Sequence, residues 1–193
     1  MAIIDLWGKK LQKAVKAGEA EAVNGNAVNA WVVRFDSLPK TLEEMQALPE
    51  ASLDAPFKAA ALTVAALCVW PEDKAQAKEM LKFLSGPKEL TQLDWQFISD
   101  RFMDGKDYIP RSYFIGATPE NDYTPSKPYS IRIVDEPNAL SGINYATVFL
   151  QSGGADSMRQ VKLRYKPSTG QWFLWEQFLL AGIREPKSQN AWA

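Results

Sequence analysis

The sequence predicts an α+β protein, in which an N-terminal layer of helices packs on a mainly antiparallel C-terminal sheet of about four strands. Residues 55–70, APFKAAALTVAALCVW, are apolar apart from Lys58 and Thr63, and a helix that is apolar on every side is buried on every side. From residue 129 onward, polar and apolar residues alternate with the period of two that is typical of strands. A run of helices followed by a run of strands is the pattern of an α+β fold.

Composition limits the chemistry available to this chain. Its 193 residues are 46% hydrophobic and carry a net charge of −1, so they can bury a core but create no general attraction for nucleic acid or acidic membranes. Histidine is absent and Cys68 is the single cysteine, which excludes a Ser-His-Asp triad, an internal disulfide and a structural zinc site. We expect no cofactor and no metal site. Catalysis would depend on carboxylates, lysine, tyrosine, serine or a hard metal held by carboxylates.

The first 26 residues are predicted to be an amphipathic appendage with a linker, followed by a single α+β domain over residues 27–193. Residues 3–17 place Trp7 and Leu11 on an apolar face, and four lysines against one aspartate give this segment a net charge of +3. Docking on its own domain, or on a second copy in a homo-oligomer, is favoured over contact with an anionic membrane surface because Gly8 weakens the helix. The N-terminus shows no signal-peptide pattern and no segment is long enough to span a membrane, so a cytoplasmic location is expected.

Several helices surround the central one in the predicted helical layer. Thr41 opens a short helix with a capping box to Glu44, and Asp54 is predicted to cap the central helix, which Pro71 ends. A third helix over residues 72–85 ends at Gly86, and a fourth runs over residues 90–103. The spacing of the fourth helix predicts one apolar face, formed by Leu93, Phe97, Ile98 and Phe102.

Strands are predicted over residues 129–133, 145–151, 161–165 and 171–177, with a hairpin loop at 167–170. In the last of these strands apolar residues point to both faces, so both faces should be covered. Residues 28–35 also have strand composition, and they are predicted to form either an edge strand or part of the appendage. Residues 178–183 are predicted to form a last helical turn.

The long segment over residues 104–127 is the main candidate for function. It contains three prolines and four aromatic rings, and we expect it to be ordered, because the prolines lower its unfolded-state entropy and the rings supply apolar surface to bury. Aromatic residues beside basic ones are common in interfaces. The predicted binding residues, from this segment and its surroundings, are Arg101, Lys106, Arg111, Tyr113, Tyr123, Lys127 and Arg159.

Two classes of function remain open. The leading hypothesis is a non-catalytic binding module for a protein or small-molecule ligand, using residues 104–127 and the adjoining sheet; the neutral overall charge disfavours nucleic acid. The alternative is a hydrolase-like enzyme of carboxylate type, with Asp100, Asp104 or Glu176 as acid or base. An enzyme should show converging carboxylates in a pocket, whereas a binding module should show an aromatic and basic surface without such a pair.

Several long motifs, taken together, indicate a resemblance to a protein family. They include DRFMDGKDYIPRSYF at residues 100–114, GATPENDYTPSKPY at 116–129, SGGADSMRQVKLR at 152–164 and QWFLWEQFLL at 171–180, and they continue with IREPKS at 183–188. Together with residues 38–68 they resemble a family of uncharacterised bacterial proteins, mainly Gram-positive, over about residues 38–193. The resemblance implies a shared domain of unknown function and assigns no activity, substrate or catalytic residue.

Overall fold

A computed structural model describes residues 29–135 and 144–192 and shows an α+β fold. Its sheet has five antiparallel strands that follow one another in chain order. The strands are β1 (Ala30–Phe35), β2 (Tyr129–Asp135), β3 (Tyr145–Leu150), β4 (Arg159–Lys166) and β5 (Gln171–Gln177).

β1 is the strand that corrects the predicted count of about four. It pairs with β2 in register from Ala30 opposite Val134 to Phe35 opposite Tyr129, and so forms one edge of the sheet. Of the two alternatives for residues 28–35, the structure supports the edge strand for the residues it describes. Residues 1–28 lie outside the described residues, so the appendage and its boundary stay predictions.

Four α-helices precede β2 in the described part of the chain. They are α1 (Leu42–Gln46), α2 (Pro56–Val69), α3 (Lys74–Ser85) and α4 (Gln92–Arg101). None of the described helices is long and apolar enough to cross a membrane.

α2 is the predicted central helix. All of its residues are buried except Lys58 and Cys68, and it contacts all five strands. Asp54 does not cap it: the N-cap is Ala55, and the Asp54 carboxylate instead pairs with Lys58 at 2.8 Å. The ion pair takes the carboxylate away from the first-turn N–H groups, where a capping side chain would have to lie.

Alternate residues of each strand face the helices. Ile131 and Ile133 of β2, and Leu163 of β4, are fully buried against the helical layer. The opposite, outer face carries the intervening residues, among them Arg164 of β4 and Trp175 of β5, which are more exposed. The outer face of β5 is therefore only partly covered.

Residues 104–127 are ordered, as predicted. They contain three 3-10 helices, Lys106–Tyr108, Pro110–Tyr113 and Pro119–Asn121. All four of their aromatic rings are buried in the core, at 0–2% exposure. The segment is therefore part of the core, because its rings fill space that the regular elements leave open.

α4 is shorter than the predicted helix, and the prediction of its apolar face was partly wrong. Ile98 is buried, but Leu93 is 73% exposed and Phe97 is 42% exposed. The buried side is displaced toward Trp95, whose ring stacks on Trp70 at 6.3 Å between ring centroids. The predicted helical turn at residues 178–183 is also wrong, because this segment forms turns and bends without helix.

Candidate functional site

Three of the predicted binding residues contact the chain's own C-terminal segment. The Tyr113 hydroxyl donates to the carbonyl of Leu179 at 2.5 Å, and the Tyr123 hydroxyl donates to the carbonyl of Arg184 at 2.7 Å. The Arg159 guanidinium donates to the carbonyls of residues 181 and 182 at 2.9 and 2.8 Å. Together these side chains fasten residues 179–184 to the domain.

Tyr113 and Tyr123 are also buried, so their side chains do not form part of the protein surface. Burial raises the pKa of Tyr113 well above its usual value, and it raises the pKa of Tyr123 to about 12. Both hydroxyls are therefore protonated donors at neutral pH, in keeping with their hydrogen bonds to carbonyls.

The other four predicted cations each have a neighbour close in the chain. Lys106 lies 3.7 Å from Asp104, and Arg111 lies 3.7 Å from Asp107. The remaining two stack on rings: Arg101 over Phe97 at 4.9 Å, and Lys127 over Tyr129 at 5.8 Å. A binding role for these four side chains stays a prediction.

The carboxylates of the enzyme hypothesis do not form a pair with each other. Asp100 accepts from the Gln96 amide at 2.6 Å, Asp104 faces Lys106, and Glu176 pairs with Lys162 at 2.9 Å. Within residues 29–135 and 144–192, no group of three or more acidic or thiol side chains comes together where a metal could bind. No observation on the described residues supports catalysis.

A cleft of about 460 Å³ lies between the C-terminal end of α3 and the outer face of the sheet. We call it the cationic cleft. Residues from three stretches that are distant in sequence line it: Ser85, Pro87, Lys88, Asn144, Arg164, Tyr165, Lys166, Pro167, Phe173 and Trp175.

Three of the lining residues are positively charged and none is acidic. Lys88, Arg164 and Lys166 form no salt bridge with any described residue. The Arg164 guanidinium lies 4.8 Å from the ring centroid of Trp175 and 5.4 Å from that of Tyr145. The Lys88 ammonium lies 5.0 Å over Trp175 and donates to the carbonyl of Trp175. The cleft therefore concentrates positive charge beside aromatic rings.

The local fold explains how these groups meet. Gly86 ends α3 with a φ of 56°, and a Cβ at this position would lie 2.3 Å from the Phe173 ring, so only glycine lets the ring approach. The pairing of β4 with β5 shifts between Lys162 and Leu163, which leaves Trp175 as an extra residue in β5. Trp175 also meets Tyr145 edge-on at 5.7 Å.

Ser85 forms part of the wall of the cleft. Its side chain is 1% exposed, and its hydroxyl has no hydrogen-bond partner among the described residues. A buried hydroxyl without a partner is unfavourable, so this group is available for a hydrogen bond with a ligand.

Sequence reasoning missed this cleft because its residues are scattered over residues 85–175. One signal was present: Lys162, Arg164 and Lys166 alternate along β4, beside the aromatic residues of β5. Alternation places such residues on one face, where they meet aromatic side chains of the neighbouring strands.

The fold and this cleft define an α+β domain with an aromatic and basic surface. The family model described as a domain of unknown function, DUF6935, matches residues 37–187, so the chain belongs to this family. The match confirms the predicted resemblance to a domain-of-unknown-function family. Comparisons with curated proteins and with solved structures gave no match.

Proposed function

We propose that the protein is a non-catalytic binding module that holds an anion in the cationic cleft. The observation that supports this most directly is that Lys88, Arg164 and Lys166 face one cleft that has no acidic lining residue. Like charges gathered in one cleft repel each other, and an anion relieves that repulsion. The cleft volume of about 460 Å³ lies within the range of small-molecule sites, about 300–1,000 Å³.

Arg164 is the central ligand-binding group in this proposal. Its guanidinium is held against the rings of Tyr145 and Trp175, which limits its motion while leaving its N–H groups able to bind an oxyanion in the bidentate manner. The two lysines add charge around it. The aromatic walls displace water, and this strengthens the attraction between the cations and the anion.

The sequence pointed to residues 104–127 and the adjoining sheet, and we place the binding role on the sheet. The rings of residues 104–127 are buried, so they cannot form the aromatic part of a surface site. Lys106, Arg111 and Lys127 are the accessible cations of that segment and form the competing site.

Isothermal titration of the full chain with inorganic phosphate tests the proposal. We expect saturable binding that weakens as salt is added, and an Arg164→Gln variant that binds about tenfold more weakly, as the loss of a charge-assisted hydrogen bond predicts. Arg132→Gln is the matched control, because Arg132 lies on the same outer face but does not line the cleft. Equal losses in the two variants, or no binding to the parent chain, would contradict the proposal.

A further inference from the structure

A second cleft, of about 300 Å³, lies between α4 and the end of β5. We call it the apolar cleft, because Leu90, Phe97, Ile98 and Phe178 form much of its wall. Ser85, Lys88 and Trp175 line both this cleft and the cationic cleft. The two clefts therefore adjoin each other at these three residues.

The apolar cleft exposes large side chains to solvent. Phe97 and Phe178 are each 42% exposed, although phenylalanine is usually buried. A cation lies over each ring, Arg101 over Phe97 at 4.9 Å and Lys162 over Phe178 at 5.5 Å from the ring centroids. Exposed apolar surface gathered in a concave site is typical of ligand-binding grooves.

The two carboxylates that line the apolar cleft already have hydrogen-bond or ion-pair partners. Asp94 accepts hydrogen bonds from the backbone N–H and the hydroxyl of Thr91, each at 2.7 Å, and Glu176 pairs with Lys162 at 2.9 Å. Burial raises the pKa of Asp94, but the Thr91 hydrogen bonds and the Lys88 charge lower it more, so the net pKa lies below its usual value. Asp94 and Glu176 therefore have partners of their own, Thr91 and Lys162, and neither forms a salt bridge with Arg164 or Lys166.

We propose that the ligand is a small amphipathic oxyanion, with its carboxylate or phosphate against Arg164 and its apolar arm in the apolar cleft. This inference rests on the proposed function and adds the second half of the ligand. At the junction, the buried Ser85 hydroxyl donates its unused hydrogen bond to the ligand, and the Trp175 ring packs against the arm. An inorganic anion would leave the apolar cleft empty, and an uncharged apolar ligand would leave the three cations unpaired.

Straight-chain probes test the arm separately from the head group. Butanoate and octanoate, and butyl and octyl phosphate, are titrated into the full chain by calorimetry. Because each buried methylene strengthens binding by about threefold to fourfold, burial of even two of the added methylenes should give about a tenfold gain in affinity. The tighter of the two octyl probes identifies the head group as carboxylate or phosphate.

Substitutions in the apolar cleft test whether this cleft accounts for the tighter binding of the octyl probes. Phe97→Ser and Phe178→Ser should each reduce the affinity advantage of the octyl probe over the butyl probe to within about threefold. Leu93→Ser is the control, because Leu93 is 73% exposed on the same helix but does not line the cleft. Circular dichroism confirms that each variant is folded.

The outcomes separate the two proposals. Butyl and octyl probes that bind equally well would overturn the amphipathic ligand while leaving anion binding intact. A loss in Leu93→Ser as large as that in Phe97→Ser would also overturn it, since the octyl gain would then come from nonspecific adsorption. If no probe binds at all, the proposed function itself fails.

Discussion

Trp175 combines three kinds of contact at one position. It meets the Tyr145 ring edge-on, the Arg164 guanidinium stacks on it, and its carbonyl accepts from Lys88. Each of these interactions alone is worth about 0.5–2 kcal/mol. Together they restrain Arg164 and Lys88, which would lower the entropy cost of binding the proposed anion.

At the scale of the residue, Asp135 at the end of β2 shows how burial of a carboxyl group makes stability depend on pH. Burial raises the pKa of its carboxyl to about 6, even though the carboxylate accepts from the Asn29 backbone N–H at 3.2 Å. The folded state therefore binds more protons than the unfolded state between about pH 4 and pH 6. Stability contributed by the protonated group is lost as the pH rises through this window.

Asp135→Asn should remove that pH dependence. Asparagine still accepts the hydrogen bond but carries no charge, so at pH 8 the variant should be more stable than the parent chain by roughly 1 kcal/mol, allowing for partial solvent screening. Near pH 4 the two chains should be equally stable. Urea unfolding at both pH values measures the difference, and equal destabilisation at both would show that the hydrogen bond matters more than the charge.

At the scale of the element, the C-terminal end of α3 affects both the stability of the fold and the shape of the cationic cleft. Gly86→Ala would place a Cβ 2.3 Å from the Phe173 ring, in a backbone conformation with φ of 56° that side chains rarely adopt. We expect a loss of about 2–4 kcal/mol from strain and overpacking, together with weaker phosphate binding, because Phe173 lines the cleft.

Gly105→Ala is the matched control for this change. Gly105 also has a positive φ, of 72°, but its Cβ would meet nothing within 4 Å. It should lose only about 1 kcal/mol of stability and keep its phosphate affinity. Thermal unfolding with parallel phosphate titrations compares the two variants. Equal phosphate affinity in both would show that Phe173 does not contribute to the site.

For the whole molecule, periodicity in the sequence predicted most of the regular elements. The continuous apolar run predicted α2, and alternation predicted the strands from β2 to β5, because both patterns record which faces a segment buries. The edge strand β1 was harder to predict, since the sequence of a short segment beside an appendage does not indicate which strand it pairs with. The exposure of Phe97 was also not predictable, because it depends on how α4 packs and not on its own spacing.

The site could be predicted only in part for a similar reason. Aromatic and basic residues at 104–127 suggested a surface, but whether a ring meets a ligand or the core depends on distant segments. Here residues 179–184 supply the carbonyls that Tyr113 and Tyr123 bind. The cationic cleft likewise unites Lys88 with Arg164, and no local motif predicts that contact.

The N-terminal appendage gives a prediction for the chain as a whole. Deleting residues 1–26 should leave the melting temperature almost unchanged, because the polar, glycine-containing stretch at residues 18–26 predicts a linker between this segment and the domain. Thermal unfolding of the shortened chain measures this, and flotation of the full chain with anionic liposomes separates a membrane tether from a self-association helix. A large loss of stability would place Trp7 and Leu11 in the core.

The central claim is that anions bind on the outer face of the sheet and not at residues 104–127. The most direct test is an NMR titration of the ¹⁵N-labelled full chain with inorganic phosphate. We predict that the backbone signals of Lys88, Arg164 and Lys166 and the indole signal of Trp175 shift together with one dissociation constant. Shifts confined to Lys106, Arg111 and Lys127 would contradict the claim and assign binding to residues 104–127.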